Sequence, residues 1–294
     1  MHTSNTQVTT TDAYVLTLPD AAVELPFLID SPHSGAVFPA DFESLATDEE
    51  LATAWDAWVA ELWRGVVTVG GTLLEARFPR VVIDPNRACD DIDPDLLASP
   101  WPVDAAPIMP SVYSDRGMGL IRRFILPGKP LYAAPLTVRQ VRQRIDSLYM
   151  PYHKTLEARL DALHARFGQV WHIDCHSMKS RGNAMNIDSG AQRADVVLGD
   201  LDGTSCAPEF MDLVASELQR RGYSVARNNP YKGGYIVRRY GKPAEGRHTL
   251  QVELNRALYM DEGEIAKTDG FARVQSDLRE LCGLIAESIR GNIS

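Results

Sequence analysis

The stretch VWHIDCHSM (170–178) decides the fold of this 294-residue chain. Apolar and polar side chains alternate along it, with Trp171, Ile173 and Cys175 set against His172, Asp174 and His176. A period of two is typical of a β-strand. The stretch begins apolar and ends polar, and a metal or acid–base site needs polar side chains held at the rigid end of such an element. FLIDSPHSG (27–35) and LQVELNRALYM (250–260) are two further apolar stretches that lead to polar residues. We expect all three strand ends to converge on one site.

The composition is that of an ordinary globular protein, with 45% hydrophobic and 23% charged residues. The length suits one large α/β domain, and we interpret residues 1–294 as a single domain. A formal net charge of −9 and a pI of about 5.3 argue against a nucleic-acid partner. No run approaches the roughly 20 apolar residues that span a bilayer, which argues against a membrane partner. Residues 1–14 lack an apolar signal core, so we expect a flexible lead-in and a cytoplasmic protein. The sequence indicates no particular oligomeric state.

Strands and helices alternate along most of the chain. Strand-like runs lie at 22–31, 72–78, 80–87, 170–178, 194–198, 223–227 and 248–255, and helix-like runs at 41–69, 136–167, 209–221 and 264–289. This pattern predicts the α/β class, with helices on both faces of a mostly parallel sheet. In such sheets ligands lie beyond the carboxyl ends of the strands, which is where the polar clusters are placed.

Residues 88–135 interrupt the alternation with repeated prolines and with glycines such as Gly117 and Gly119. So long an irregular stretch in a compact domain is either functional or disordered. Its aromatic residues Trp101, Tyr113, Phe124 and Tyr132 argue against disorder. We therefore expect an ordered excursion that lies over the site.

Two histidines are candidate metal ligands. His33 follows an apolar strand and could be a ligand, a general base or a satisfied core residue. His176 lies nearest the end of its predicted strand and is the favoured ligand, whereas the deeper His172 is interpreted as a buried, hydrogen-bonded histidine. Cys175 is expected to point into the opposite layer as a core thiol.

A third ligand is needed, because catalytic zinc sites use three protein ligands and leave one position open. Zinc accepts both imidazole nitrogen and carboxylate oxygen. Asp56, within the predicted helix at 41–69, is our first choice for this ligand. Asp174 is the second choice, and it otherwise supports the site from the predicted strand that carries His176.

Glu253 is a charged residue placed among Leu250, Val252 and Leu254. Burying it is costly unless it is paired. It therefore forms a salt bridge with Arg256 or Arg247, or it acts as a general base beside a metal. Ser177 is not expected to be a nucleophile, because the G-x-S-x-G motif of serine hydrolases is absent around it.

The candidates for binding an acidic substrate lie at predicted strand ends and in loops. They are Asn86, Arg87, Lys232 and Arg256. Arginine binds a carboxylate through two parallel hydrogen bonds. The alternative for each charged residue in this group is a surface ion pair.

Five motifs in order resemble the N-formylglutamate amidohydrolase (N-formylglutamate deformylase) family over about residues 25–260. They are SPHSG (31–35), VIDPNR (82–87), HIDCHSM (172–178), YKGGYIVRRYG (231–241) and VELNRALYM (252–260). That family is similar in turn to zinc carboxypeptidases and aspartoacylase-like deacylases. The resemblance implies a three-layer α/β/α fold of the phosphorylase/hydrolase-like kind with a central mixed sheet. It also implies metal-dependent hydrolysis of N-formyl-L-glutamate to formate and L-glutamate, the last step of one route of histidine degradation.

The resemblance also implies roles for single residues. Glu253 resembles the catalytic glutamate of the carboxypeptidases, and His33 and His176 resemble their metal histidines. Asn86 and Arg87 resemble the pair that holds a substrate carboxylate. The carboxypeptidase H-x-x-E pair is missing after His33, so the third ligand must come from Asp56 or Asp174.

The expected cofactor is a divalent metal, zinc first of all, and the expected partner is a small acidic N-acyl amino acid. Two alternatives stay open at this point. One is a related metal-dependent deacylase of another N-acyl amino acid, and the other is a catalytically inactive binding protein on the same scaffold.

Overall fold

An eight-stranded sheet forms the centre of the computed structural model, which describes residues 6–182 and 188–293. The strands are β1 (Gln7–Thr10), β2 (Tyr14–Leu18), β3 (Phe27–Ser31), β4 (Thr72–Ala76), β5 (Phe124–Leu126), β6 (Lys129–Pro130), β7 (Val170–Met178), β8 (Val196–Gly199), β9 (Val225–Arg227), β10 (Arg247–Asn255), β11 (Met260–Asp261) and β12 (Ala266–Lys267). The helices are α1 (Asp48–Ala52), α2 (Val59–Trp63), α3 (Val112–Asp115), α4 (Val138–Arg144), α5 (Met150–Phe167), α6 (Pro208–Arg220), α7 (Tyr235–Tyr240) and α8 (Gly270–Ile293).

The order of strands in the sheet is β1-β2-β4-β3-β7-β10-β8-β9. The central strands β4, β3, β7 and β10 run parallel to one another. The strands β2 and β8 pair antiparallel with this central group, and β1 pairs antiparallel with β2. The sheet is therefore mixed with a parallel centre, and the predicted α/β class is confirmed.

Helices cover both faces of the sheet and make three layers. One hydrophobic core packs α2, α6 and α8 against side chains such as Ile173 and Cys175. The second core packs α4, α5 and α7 against the opposite face, where Leu28 and Leu74 point. The alternation seen in the sequence of β7 therefore sends Cys175 into one core, as predicted. Within the described ranges, no helix combines the length and the apolar content needed to cross a membrane.

The predicted helix at 136–167 is two helices placed end to end. A π-helical turn, Ile145–Tyr149, joins α4 to α5. Pro151 lies in the first turn of α5, directly after the π-helical turn, and its missing N–H interrupts the α-helical hydrogen bonds at this point. Gly168, with a φ of 77°, ends α5 in the left-handed conformation that glycine adopts without strain.

The prediction of one helix over 41–69 was wrong. Two short helices, α1 and α2, are followed by a 3₁₀ turn at Arg64–Val69. Trp58 has a φ of 57°, and a non-glycine residue in this region interrupts a helix. Asp56 therefore lies in an irregular turn between the helices. That turn is fastened to the next segment, because the Asp56 N–H donates to the carbonyl of His33 over 3.1 Å.

The predicted strand at 80–87 consists of turns instead. Val82 N–H donates to the Pro79 carbonyl over 2.9 Å, and the carboxylate of Asp84 accepts the Asn86 N–H over 2.9 Å. Pro79 and Pro85 fix their own φ angles and lack the N–H groups that a strand ladder uses. The apolar pattern that suggested a strand is explained by burial, since Ile83 is fully buried within the turn.

Two chain ends also differ from the prediction. Within the expected flexible lead-in at 1–14, residues 7–10 form the edge strand β1, and residues 1–5 lie outside the described residues. Threonine and valine dominate β1, and such β-branched residues favour strands. The last helix begins at Gly270 rather than at residue 264, because β11 and β12 form a hairpin just before it.

The excursion at 88–135 is packed against the rest of the protein. Its Ile92, Leu96 and Leu120 are buried in the second core. Its regular structure is limited to α3, β5, β6 and a 3₁₀ turn at Pro94–Leu96. The Asp84 N–H donates to the Leu120 carbonyl over 2.7 Å, so the excursion is attached to the turn at 80–87.

Candidate active site

The parallel strands bring polar side chains to one edge of the sheet. His33 follows β3, and His176 and Glu253 each lie two residues before the end of their strands, β7 and β10. In the parallel pairing of these two strands, Glu253 is the register partner of His176. The three strand ends that the sequence singled out therefore meet.

Three ligand atoms converge at this edge. The Nδ1 atoms of His33 and His176 lie 2.9 Å apart, and each is 3.4 Å from Oδ2 of Asp56. In a tetrahedral site with metal–ligand bonds of about 2.0–2.2 Å, neighbouring ligand atoms are separated by roughly 3.4 Å. All three residues are buried, and together they could hold a metal ion.

Both imidazoles are held by carboxylates on their far nitrogens. Nε2 of His33 lies 2.7 Å from Oδ1 of Asp84, and Nε2 of His176 lies 2.8 Å from Oδ1 of Asp174. A carboxylate at this place favours the proton on Nε2 and leaves the lone pair on Nδ1. Two unprotonated nitrogens at 2.9 Å repel each other unless a cation lies beside them. The arrangement therefore fits a bound cation.

The charges around His176 favour a positive charge at the same place. Burial opposes that charge, but Asp174, Asp56 and Glu253 raise the pKa of His176 well above its usual value. Asp56 itself stays ionised. Burial would raise the pKa of Asp56, yet the neighbouring His176 and His33 and the charge of Arg256 hold it well below its usual value. A proton or a metal ion can supply the positive charge that this group of carboxylates favours.

Asp56 is oriented from two sides. Its Oδ1 accepts a hydrogen bond of 2.9 Å from Arg256, and its Oδ2 accepts one of 3.2 Å from the N–H of Ser177. Arg256 also donates to the carbonyl of Thr53 and to the hydroxyl of Ser177, each over 3.0 Å. Arg256 therefore has partners inside the protein, and its role in substrate binding stays a prediction.

Glu253 is half-buried beside this group. Burial raises the pKa of Glu253 to about 7, while His176 and Arg80 oppose part of the rise. Its Oε1 accepts a hydrogen bond of 3.0 Å from Gln251, whose own oxygen accepts the Gly234 N–H. No salt bridge joins Glu253 to Arg256 or Arg247 in the described part of the chain. A carboxyl with such a pKa can both accept and release a proton near neutral pH.

Asn86 and Arg87 lie close to the site, but their polar groups make contacts within the protein. Asn86 Nδ2 lies 3.1 Å from Nε2 of His176, and its oxygen accepts the N–H of Ile236 over 2.9 Å. The guanidinium of Arg87 donates to the carbonyls of Met118 and of Asn86, and it stacks 4.0 Å from the ring of Tyr113. Asn86 thus packs against the far side of the His176 ring. Arg87 connects the excursion to the turn that carries Asn86 through its contacts with Met118 and Tyr113.

Lys232 makes no hydrogen bond or ion pair with His33, Asp56, His176 or Glu253. Its ammonium forms a 2.7 Å ion pair with Asp202, and both side chains are more than half exposed. This is the surface ion pair that the sequence left open as the alternative, and substrate binding by Lys232 stays a prediction. Its loop is still close to the sheet, because a Cβ on Gly199 would come within 2.7 Å of the Lys232 backbone.

Asp174 lies on the far side of His176 from the other ligand atoms. Asp174 therefore contacts Nε2 of His176. The group that could hold a metal consists of His33, His176 and Asp56, without Asp174. Sequence reasoning missed Asp84, which orients His33, and Arg80, which pairs with Asp84 over 2.8 Å. Asp84 lies in the polar end of VIDPNR, but its partner His33 is 51 residues away in sequence. Arg80 lies just before this motif, and the turn at 80–87 places it beside Asp84.

A sheet edge with two free imidazole nitrogens, a carboxylate oxygen and a second carboxyl of raised pKa is typical of hydrolases. The family model of N-formylglutamate amidohydrolase matches residues 25–260. The chain belongs to the N-formylglutamate amidohydrolase family, and it is a hydrolase of amide bonds.

Individual relatives agree with this assignment. N-formylglutamate deformylase from Pseudomonas aeruginosa is 31% identical over 243 residues, which cover 81% of this chain and 83% of the relative. The Pseudomonas putida protein of the same name is 30% identical over 244 residues, 82% of this chain and 84% of its own. The crystal structure of N-formylglutamate amidohydrolase from Ralstonia eutropha JMP134 is 45% identical with a TM-score of 0.91, and covers 96% of this chain and 100% of that one.

Proposed function

We propose that this protein hydrolyses N-formyl-L-glutamate to formate and L-glutamate, and that it uses a divalent metal held by His33, Asp56 and His176. The observation that supports a metal site is the convergence of two Nδ1 atoms and one carboxylate oxygen. The two nitrogens are 2.9 Å apart, and each is 3.4 Å from the oxygen. The names of the relatives support the substrate. The convergence also argues against an inactive binding protein, for which these groups would have no reason to meet.

Zinc is the metal that suits this donor set. It accepts two imidazoles and a carboxylate, and such sites fix each histidine through a carboxylate on its other nitrogen. His33 has Asp84 in that position, and His176 has Asp174. When bound, a divalent ion would lower the pKa of water and polarise the formyl carbonyl.

Glu253 would move the proton of the reaction. In its ionised form it accepts a proton from the attacking water, and it then gives that proton to the nitrogen of the departing glutamate. Burial raises the pKa of Glu253 to about 7 in the metal-free protein, and a carboxyl with a raised pKa suits both steps. The hydrogen bond from Gln251 leaves Oε2 of Glu253 free to face the reacting groups.

The remaining groups keep the ligands in place. Arg256 and the Ser177 N–H fix both oxygens of Asp56, and Asp84 is itself held by Arg80. Burial would raise the pKa of Asp84, but Arg80 and His33 hold it well below its usual value, so Asp84 remains an acceptor for the His33 N–H. A cytoplasmic location and a place in histidine degradation belong to the same proposal, on the strength of the family resemblance.

The test is formate release by the purified protein with and without zinc. A panel of N-formyl-, N-acetyl- and N-succinyl-L-glutamate separates the proposed activity from that of a related deacylase. We expect the N-formyl substrate to give the highest kcat/KM, and we expect chelation to abolish turnover until zinc is restored. Full activity in metal-free protein contradicts the metal, and a preference for another acyl group favours the related deacylase.

A further inference from the structure

Arg122 is an arginine of the excursion that has no partner in the described part of the chain. It lies two residues after Leu120, whose carbonyl accepts the Asp84 N–H over 2.7 Å. Its Nε is buried and makes no hydrogen bond, and its guanidinium forms no ion pair with residues 6–182 or 188–293. Burial and the positive charge of Arg80 lower the pKa of Arg122 to about 9, while the charges of Asp84 and Asp56 oppose the shift. The side chain is therefore within electrostatic reach of the metal-binding group.

Lys179 is a second cation of this kind. It is half-buried and directly follows β7, whose end carries His176. Its ammonium has no acidic partner among the described residues. Glu262, whose charge acts on Lys179, accepts the N–H and the hydroxyl of Ser180 over 3.0 and 2.5 Å. Burial lowers the pKa of Lys179, and the positive charges of Arg256 and Arg122 lower it further.

Other arginines around the site do have partners. Arg80 pairs with Asp84, Arg87 donates to the Met118 carbonyl, Arg193 pairs with Asp188, and Arg256 pairs with Asp56. Arg123, the neighbour of Arg122, lies 2.8 Å from Asp93. Two half-buried cations that act on each other without a counterion are unfavourable. An anion that binds between the excursion and the end of β7 would remove that cost.

We propose that Arg122 and Lys179 form the receptor for the two carboxylates of the substrate. The guanidinium offers a carboxylate two parallel hydrogen bonds, and the ammonium offers the other carboxylate a point charge. This assignment rests on the proposed function, which supplies a substrate with two carboxylates. It also gives a reason for the excursion, which is bonded through Leu120 to Asp84 just before Arg122.

The first experiment compares kinetic constants of Arg122→Gln and Lys179→Gln with those of two controls. The controls are Arg123→Gln, the neighbouring arginine with an ion pair, and Lys242→Gln, an exposed lysine. Hydrogen bonds to charged groups correspond to a rise in KM of about 10- to 100-fold for each receptor variant. We expect kcat to change little, and Arg122→Lys to restore part of the loss. Unchanged KM in both receptor variants, or the same rise in the controls, would overturn the proposal.

The second experiment removes the substrate carboxylates one at a time. N-formyl-L-glutamine lacks the side-chain charge, and the α-amide of N-formyl-L-glutamate lacks the other. Each substitution should raise KM for N-formyl-L-glutamate but not for one of these two substrates. That substrate lacks the carboxylate which the replaced side chain would bind. An equal rise in KM for all three substrates would mean that Arg122 and Lys179 only stabilise the fold and do not bind the carboxylates.

Calorimetric binding of L-glutamate separates this proposal from the proposed function. If the wild type releases no formate but binds glutamate, and both variants bind it more weakly, the proposed activity is wrong but Arg122 and Lys179 do bind carboxylates. If the wild type is active and both variants bind glutamate as it does, the receptor is wrong. A wild type that neither turns over the substrate nor binds glutamate contradicts both proposals.

Discussion

His172 and His176 lie on the same strand and the same face, and each has a carboxylate on Nε2. For His172 that carboxylate is Asp30, and for His176 it is Asp174, both at 2.8 Å. The difference is on the other nitrogen. Nδ1 of His172 lies 3.3 Å from the hydroxyl of Thr249, whereas Nδ1 of His176 faces Nδ1 of His33 and a carboxylate oxygen.

The pair shows that a buried histidine with a carboxylate is not by itself a ligand. His172 has both nitrogens satisfied in the interior, and Asp30 also accepts a 2.6 Å hydrogen bond from Tyr152. His176 has one nitrogen without a committed partner, directed at two other ligand atoms. Position along the strand decides between these outcomes, because only the end of the strand meets the loops that carry His33 and Asp56.

The largest expected effect comes from replacing each histidine by glutamine. His176→Gln should lose the metal and lower kcat/KM by at least about 10³-fold, the scale of losing a catalytic group. His172→Gln should keep the metal and lose stability instead, since Asp30 is left buried with a poorer partner. Metal analysis, formate release and thermal unfolding of both variants check this. Equal metal loss in the two variants would remove the distinction between them.

The next effect separates chemistry from metal binding. Glu253→Gln should lower kcat by about 10²- to 10⁴-fold, the range for a general acid–base group. Metal content should stay at the wild-type level, because Glu253 is not one of the three converging ligands. Turnover close to that of the wild type would show that another group moves the proton.

A smaller effect is expected from the supporting carboxylates. Asp174→Asn should weaken metal affinity by about 10- to 100-fold, as is usual when the partner of a ligating histidine is changed. Asp30→Asn is the matched control on the buried pair, and it should leave metal affinity unchanged. Competition with a zinc chelator measures both constants. The same affinity in both variants would mean that Asp174 does not orient His176.

The smallest effect is a dependence on pH. The pKa of Glu253 is raised to about 7 in the metal-free protein, and a bound cation would lower it. Activity should therefore fall as the pH drops below the resulting pKa, and Glu253→Gln should lack this acid limb. Because the raised pKa favours the neutral form, the contribution of Glu253 to stability is lost as the pH rises from 4.5 through about 7. Metal-free Glu253→Gln should thus exceed the wild type in free energy of unfolding by about 1–2 kcal/mol above pH 7. A pH profile shared by the wild type and Glu253→Gln would contradict this assignment.

The sequence predicted those features that depend on local pattern. The alternation in 170–178 and the apolar run before His33 were enough to find β7 and β3. Asp56 was selected as a ligand although the sequence suggested a helix there, and the turn that carries it depends on Trp58 at a φ of 57°. In 80–87 the apolar run reflected burial of a turn, which pattern alone does not separate from a strand.

Partner choice was the part that the sequence could not predict. Arg256 was expected to bind substrate, but it pairs with Asp56, two hundred residues earlier in the chain. The pairing of His33 with Asp84 is equally non-local. Nothing in the sequence distinguishes Arg122, because it lies in a stretch without periodicity, and its lack of a partner among residues 6–182 and 188–293 is visible only in the structure.

The most direct test of the difference between the two histidines is an anomalous difference map at the zinc absorption edge, from crystals grown with one equivalent of zinc. The expected result is one peak at about 2.0–2.2 Å from Nδ1 of His33, Nδ1 of His176 and an oxygen of Asp56, with none near His172. Zinc bound through Asp174 or His172, or no zinc at the three converging atoms, would contradict it.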